Sequence, residues 1–358
     1  MARFKLYNRR LLETKITVHN LPGSNIAGLA TYYVFNAARH IEEIRKIVRS
    51  NDIDLVVLQN LLPPFGFHVL NQFSNLQVKT VLDLCDYFPT SAVGYVVESE
   101  SFLGATMSAS LRVMLGYVLR HCDAVTVVSN ALFDLAVAMG GKKVLLVPNG
   151  IGEEFMNGHD KEPVREGFGF TKDDLVAGYI GSIDFWLDLQ KFLKGLRLAK
   201  DQGIAIKSLL IGRGLHNTKY TDKVKSWIRD EHLSDEIIWN DFVPYSQVPK
   251  YMAALDVGLI PFDTSNFTSY YSSPNKMWEY LSQGTPVIST PIPEAVTYRD
   301  CILLAKTPDD YAQHFRSMHE GNSKISEMIA KGKSISAGRS WNSSTQLLAN
   351  QYRKLIEE

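Results

Sequence analysis

The chain has 358 residues, 45% of them apolar and 21% charged, which is enough length for two domains with full cores and an ordinary balance for a globular protein. Its 38 basic and 38 acidic residues cancel, so the bulk charge does not suggest nucleic-acid binding. Cys85, Cys122 and Cys301 show neither metal spacing nor an even count, and fit a reduced, cytoplasmic protein.

The charge is uneven at the start. Arg3, Lys5, Arg9, Arg10, Lys15, Arg39, Arg45, Lys46 and Arg49 face only Glu13, Glu42 and Glu43 in the first 50 residues. This pattern reads either as a solvated charged face or as a peripheral contact with an anionic membrane surface. No signal-peptide pattern is present, and no uninterrupted apolar run is expected to span a bilayer.

In chain order, Phe4 to Thr14 reads as a short amphipathic helix and Ile16 to His19 as a strand. Thr31 to Ser50 reads as a helix. Leu55 to Gln59 is a buried strand stopped by Pro63-Pro64, and Val78 to Cys85 another, followed by the loop Asp86 to Pro89. Ala105 to His121 is a helix with Met107, Leu111, Met114, Leu115 and Val118 on its apolar side, read as core. Ala124 to Ser129 is a strand, Asn130 to Met139 a helix, and Lys143 to Val147 a strand closed by Pro148-Asn-Gly-Ile151. The polar stretch Glu153 to Lys172 reads as an interdomain link.

The alternation then restarts. Strands are expected over Asp174 to Ile180, Ile206 to Ile211, Ile237 to Trp239, Val257 to Ile260, Val287 to Ser289 and Ile302 to Leu304. Helices fall over Leu187 to Asp201, Thr221 to Glu231, Val248 to Ala254, Tyr311 to Met318, Ser323 to Ser336 and Trp341 to Glu358. The expected fold is α/β, with two Rossmann-like domains facing a cleft between the C-terminal edges of two parallel sheets. The domains are 1–165 and 166–338, with a C-terminal helix over 339–358 that could pack back on the first domain.

One stretch in the second half carries chemistry. In Tyr271-Ser-Ser-Pro-Asn-Lys-Met-Trp-Glu-Tyr-Leu-Ser-Gln-Gly-Thr-Pro-Val287, Ser273 suits an N-cap, Pro274 the first helical position, and Gly284 the helix stop. The N-terminus of such a helix attracts phosphate through free N–H groups and a partial positive charge, which Lys276 reinforces. Glu279, three residues on from Lys276, could accept two ribose hydroxyls. The plainer reading is a capped surface helix with an i, i+3 ion pair.

The runs Asp256-Val-Gly-Leu-Ile-Pro261, Ser273 to Val287, Pro148-Asn-Gly-Ile151, Gly178-Tyr-Ile-Gly181 and Val127-Val-Ser129 resemble the group 1, retaining glycosyltransferases of the GT-B fold. The resemblance covers nearly the whole chain and is densest from Gly178 to Pro293. It implies transfer of a sugar from a nucleotide-diphosphate donor to a saccharide or lipid-linked acceptor, with neither metal nor cofactor, in the cytoplasm or at the cytoplasmic membrane face. Glu279 would hold the donor ribose. Lys276 and the backbone of Ser273, Pro274, Asn275 and Lys276 would face the diphosphate and sugar. Gly181 would let the backbone approach the phosphates, Asn149 would lie at the interdomain mouth, and the base would sit near Arg213 and Phe242-Val243.

The sequence departs from the family in four places. The first of the family's two glutamates is replaced by Tyr271, with Ser272 beside it. The basic residues of the diphosphate loop fall near Ser182 and Trp186, so either Lys276 or Arg213 substitutes or the leaving group is only weakly stabilised. The family histidine near the transferred sugar has Asp86 as its nearest counterpart, which reads equally well as a turn cap. The chain also starts inside what looks like the family's first helix, so the first domain is expected to lack its first strand; a start further upstream, a rearranged first domain or an inactive protein would each account for this, and the upstream start is favoured.

Other constellations are weaker. Asp52-Ile-Asp54 and Asp173-Asp174 read as turn residues before strands rather than metal ligands. Gly212-Arg-Gly-Leu-His216 is a phosphate or base contact, or a tight turn. Two further functions stay open: a sugar-nucleotide epimerase, and a non-catalytic binding protein on the same fold.

Overall fold

The computed structural model describes residues 3–7, 15–18, 46, 48–50, 53–59, 78–94, 101–214 and 219–358. They form two compact units, one of Met1–Pro148 with Ser344–Glu358 and one of Asn149–Ser343.

In the first unit the strands are β1 (Arg3–Tyr7), β2 (Lys15–Val18), β3 (Leu55–Gln59), β4 (Lys79–Leu84), β5 (Ala124–Val127) and β6 (Val144–Leu146), in the order β2-β1-β3-β4-β5-β6. The strands β3 to β6 are parallel, while β1 is antiparallel to both β2 and β3. The helix expected over Phe4 to Thr14 is therefore a strand at its start. Arg3 pairs with Gln59 and Tyr7 with Leu55. Pairing with a buried strand outweighs the weak local preference of so short a segment. β1 thereby covers the edge of β3 opposite β4. The Pro63-Pro64 stop, most of the helix expected over 31–50, and Arg9, Arg10, Arg39 and Arg45 lie outside the described residues.

Three helices complete this unit's middle: α1 (Phe88–Gly94), α2 (Phe102–His121) and α3 (Asn130–Ala138). The loop after β4 is shorter than expected, because Pro89 sits in the first turn of α1, where its missing N–H is tolerated. In α2, Ser101 Oγ accepts from Gly104 N at 3.1 Å. Its second half is buried through Leu115, Val118 and Leu119, but Phe102, Leu103 and Val113 are exposed. By length and composition alone this helix is long and apolar enough to cross a membrane, although Arg112 interrupts its apolar run. Leu55, Val57, Val81 and Ala124 pack with Tyr352 and Leu355 of the chain's last helix.

The second unit holds β7 (Leu175–Ile180), β8 (Ile206–Ile211), β9 (Ile237–Asn240), β10 (Val257–Ile260), β11 (Val287–Ser289) and β12 (Leu303–Leu304), all parallel, in the order β12-β11-β10-β7-β8-β9. The chain order reverses between β7 and β10. In an open α/β sheet, the carboxyl ends of the strands at such a reversal form a crevice for ligands. The helices are α4 (Glu162–Gly167), α5 (Leu189–Asp201), α6 (Lys219–Asp230), α7 (Val248–Ala253), α8 (Phe267–Tyr270), α9 (Asn275–Ser282), α10 (Pro293–Thr297), α11 (Pro308–His319) and α12 (Ser323–Ala337), and α13 (Trp341–Glu357) closes the chain.

The stretch Glu153 to Lys172, expected as a link, belongs to this second core. Phe155 and Phe170 are buried, and Ser282 Oγ at the end of α9 donates to Phe155 O at 2.9 Å. Arg165 of α4 is buried. It pairs with Asp256 at 2.8 Å and donates to Ala254 O, Thr171 O and Asp174 O. A buried arginine satisfied by carbonyls has no apolar signature, so the sequence reads as linker where the structure packs. Asp174 also accepts from Thr171 N and Oγ1, closing the turn before β7.

Candidate active site

The site builds outward from α9. Met277, Trp278, Tyr280 and Leu281 are buried and dock the helix on the sheet. Tyr280 does so most specifically: Ile180 N donates to its hydroxyl at 3.1 Å. Its ring fills the space beside Gly258, where a Cβ would come within 2.4 Å of it. Lys276 and Glu279 lie between these anchors and stay partly exposed.

The helix enters one residue later than expected. Pro274, not Ser273, is its N-cap, and no side chain caps it. Ser273 Oγ is engaged elsewhere, donating to Glu294 Oε1 at 3.4 Å, and its carbonyl accepts from Asn149 Nδ2 at 3.4 Å. Met277 N donates to Pro274 O at 3.1 Å, and with no side-chain cap the N–H end of the helix ahead of it is the part that suits an anion.

Lys276 lies beside the end of β7. Its Nζ sits 5.4 Å from the centroid of the Tyr179 ring. A Cβ on Gly181 would approach Lys276 Cε to 2.7 Å and Nζ to 2.9 Å. Gly181 has φ +150°, and Gly212 at the end of β8 has φ +145°; a Cβ on Gly212 would strike Gly181 O at 1.8 Å. Two strand ends can therefore meet the helix N-terminus only because both residues are glycine. Tyr179 donates to Ser182 O at 2.9 Å, and Trp239 Nε1 to Gly212 O at 2.9 Å, so one turn is held by a buried aromatic and the other by a partly buried one.

Although Lys276 keeps some exposure as a residue, its ammonium is crowded enough that burial lowers its pKa, with Glu279 pulling it back up. Burial raises the Glu279 pKa; Lys276 opposes this and Glu154 adds to it. Tyr245 is pushed up to about 12 by burial, then by Glu279 and Glu154. Glu154 and Glu279 thus both act electrostatically on Tyr245 and keep its hydroxyl protonated.

The remaining expected residues divide. Ser272 Oγ donates to Ser269 O at 2.8 Å, so its proton is already committed within the α8 turn. Tyr271 packs edge-on against Tyr270 at 5.1 Å. Arg213 and Phe242 are exposed, whereas Val243 is in the core. Residues 215–218 of the Gly212 loop lie outside the described residues. Asp86 belongs to the first unit, at the end of β4; although the residue keeps exposed surface, burial of its carboxyl pushes it up to about 6. Sequence reasoning missed Glu294 and Arg339. Arg339 stacks over the Trp278 ring at 3.7 Å, and burial pushes Glu294 up to about 7 against the opposing pull of Arg339 and Ser273.

A sequence model of the family described as Glycosyl transferases group 1 matches residues 174–320. The glycosyltransferase TuaH of Bacillus subtilis (strain 168), named for teichuronic acid biosynthesis, is 27% identical over 189 residues, 52% of this chain. The match spans less than half of that relative, 43% of its length. Among solved structures, the sucrose-phosphate synthase of Thermosynechococcus elongatus superposes with a TM-score of 0.69 at 15% identity, over 90% of this chain and 78% of that one. Anabaena HepE in complex with UDP-glucose superposes with a TM-score of 0.67 at 14% identity, over 87% and 81%. The α/β fold of this chain is the GT-B fold, and its residues 174–320 are similar to the family described as Glycosyl transferases group 1.

Proposed function

We propose that the chain is a retaining glycosyltransferase that moves a sugar from a nucleotide-diphosphate sugar to an acceptor hydroxyl. The observation that carries this reading is the Lys276 ammonium, set against the Gly181 turn at the N-terminus of α9, with Glu279 one turn further along. The first two suit a diphosphate; the last suits the two hydroxyls of a ribose.

The chemistry follows from charge. When the sugar–phosphate bond breaks, negative charge grows on the leaving diphosphate. Fixed N–H dipoles and a cation stabilise that charge more than they stabilise the ground state. With Ser182 and Trp186 where the family has basic residues, Lys276 carries most of that task. Retention of configuration rests on the family resemblance, and no protein nucleophile is assigned.

A saccharide or lipid-linked acceptor in glycolipid, lipid-linked oligosaccharide or polysaccharide synthesis is supported by the name of the TuaH relative. A UDP-sugar donor is supported by the ligand in the HepE structure. We place the protein in the cytoplasm, peripheral at the membrane face, a reading supported by the basic first 50 residues and the exposed Phe102, Leu103 and Val113 of α2. We read the site as free of metal.

The test is a panel of UDP-, GDP- and ADP-sugars assayed with and without saccharide acceptors, scored for transfer and for anomeric configuration. Glu279→Ala and Lys276→Ala should each cut transfer sharply. Wild-type transfer by both variants defeats the site assignment, and isomerisation of donor without acceptor points to an epimerase.

A further inference from the structure

Four buried polar atoms without a hydrogen-bond partner belong to residues around the entry to α9: Asn275 Oδ1, Trp278 Nε1, Glu294 Oε2 and Arg339 Nη1. Asn275 and Trp278 are one turn apart on α9. Glu294 reaches the helix through Ser273, and Arg339 through the Trp278 ring. Two are donors and two acceptors, so this is a polar cluster rather than a single misplaced group. Glu294 itself is only 4% exposed. A carboxylate taken this far from water, with one oxygen unsatisfied, weakens the fold unless it does something an apolar residue could not.

Its contacts say what that is. Ser273 is the last residue before the Pro274 cap, and it is gripped twice. Its hydroxyl is held by Glu294 and its carbonyl by Asn149. Arg339 sets a cation near the carboxylate while lying flat on Trp278, and its own carbonyl accepts from Ile151 N at 2.8 Å. The direction in which the first N–H groups of α9 point is thus fixed from behind.

We infer that Glu294, backed by Arg339, is a positioning residue of the donor site, holding Ser273 so that the N-terminus of α9 meets the leaving diphosphate. The inference rests on the nucleotide-sugar reading above. It assigns a role to a residue that touches neither Lys276 nor Glu279. In physical terms it trades stability for preorganisation, because aligned dipoles need no reorganisation as charge develops.

The experiment uses the full chain and UDP, GDP and ADP as probes, with transfer measured on the nucleotide sugar that the wild type accepts. Glu294→Gln should lower kcat at least 10-fold and weaken nucleoside-diphosphate binding at least 5-fold, with KM for the acceptor within 2-fold and melting temperature at pH 8 not reduced. Glu294→Asp should recover part of the loss. Ser273→Ala should reproduce it, and the double variant Ser273→Ala/Glu294→Gln should be no worse than either single variant. Unchanged kcat and diphosphate affinity in Glu294→Gln, or losses that add in the double variant, overturn the inference alone. So does a loss matched by a fall in melting temperature. A wild type that binds none of the three diphosphates overturns the nucleotide-sugar reading along with it.

Discussion

The ammonium of Lys276 lies over the ring of Tyr179, 5.4 Å from its centroid, in space that exists because Gly181 has no side chain. A lysine amine seated on an aromatic face beside a turn with φ +150° is held at one place and one height. Loop, helix and cation form one device, which can be disturbed from any of its three parts.

Gly181→Ala disturbs it from the loop. The added methyl would stand 2.7 Å from Lys276 Cε, and the backbone conformation at φ +150° is one that an L side chain rarely adopts. The lysine must leave its seat. We expect kcat/KM to fall about 100-fold, the size of effect a displaced charge-stabilising group produces. The fold should lose only about 1–3 kcal/mol. Steady-state kinetics and thermal unfolding of the same preparation check both figures; full activity in a folded variant would dissociate Gly181 from the site.

Lys276 can be addressed through pH. Burial lowers the pKa of its ammonium, so the free enzyme should lose the charge at lower pH than an ordinary lysine would. The kcat/KM profile should fall on its alkaline side below the usual lysine value. Glu279 limits the drop by favouring the charged amine. Lys276→Arg keeps a cation that does not titrate in this range, so its residual activity should lack that limb. An alkaline limb that survives in Lys276→Arg would assign the titration to another group.

Much of this device is legible in the sequence, and the illegible parts share a cause. Residues 273 to 284 announce a helix through Pro274 and Gly284, and they place Lys276 and Glu279 together by helical spacing alone. The strands are legible because buried parallel strands are short apolar runs between turns. The Ser273 cap was misread because its hydroxyl is taken by Glu294, 21 residues away, a competitor that no local pattern reveals. The start of the chain was misread as helix because pairing with β3 decides it. The domain boundary was drawn too late because Arg165, a charged residue, is a core residue here. Each error sits where a distant partner outweighs local propensity.

Arg165→Ala tests that reading of the boundary. The substitution removes a buried guanidinium that pairs with Asp256 and serves three carbonyls. Breaking a buried pair by deleting one partner costs about 3–5 kcal/mol, because the other charge and the carbonyls lose their donor. Chemical denaturation should show a loss of that size. A loss below about 1 kcal/mol, the range of exposed pairs, would mean that the stretch from Glu153 to Lys172 behaves as a solvated link after all.

Glu294 should also leave a signature in stability against pH. Its ordinary value is 4.5, and burial holds it at about 7 in the folded chain, opposed by Arg339 and by the Ser273 hydroxyl. The charged and titratable groups beside it are Arg339 and Tyr298. For an acid whose pKa is raised on folding, the folded state binds more protons, so stability must fall as pH rises. The contribution is fully present below about 4.5, is lost between there and about 7, and is flat above. The gap corresponds to at most about 3 kcal/mol. Glu294→Gln has no such proton to lose. The difference in unfolding free energy between variant and wild type should therefore swing toward the variant across pH 4.5 to 7 and stay constant at higher pH. A difference that does not change with pH would show that the carboxyl is already ionised throughout, its cost offset by Arg339, and would leave Ser273 held by a charged partner at every pH at which the enzyme works.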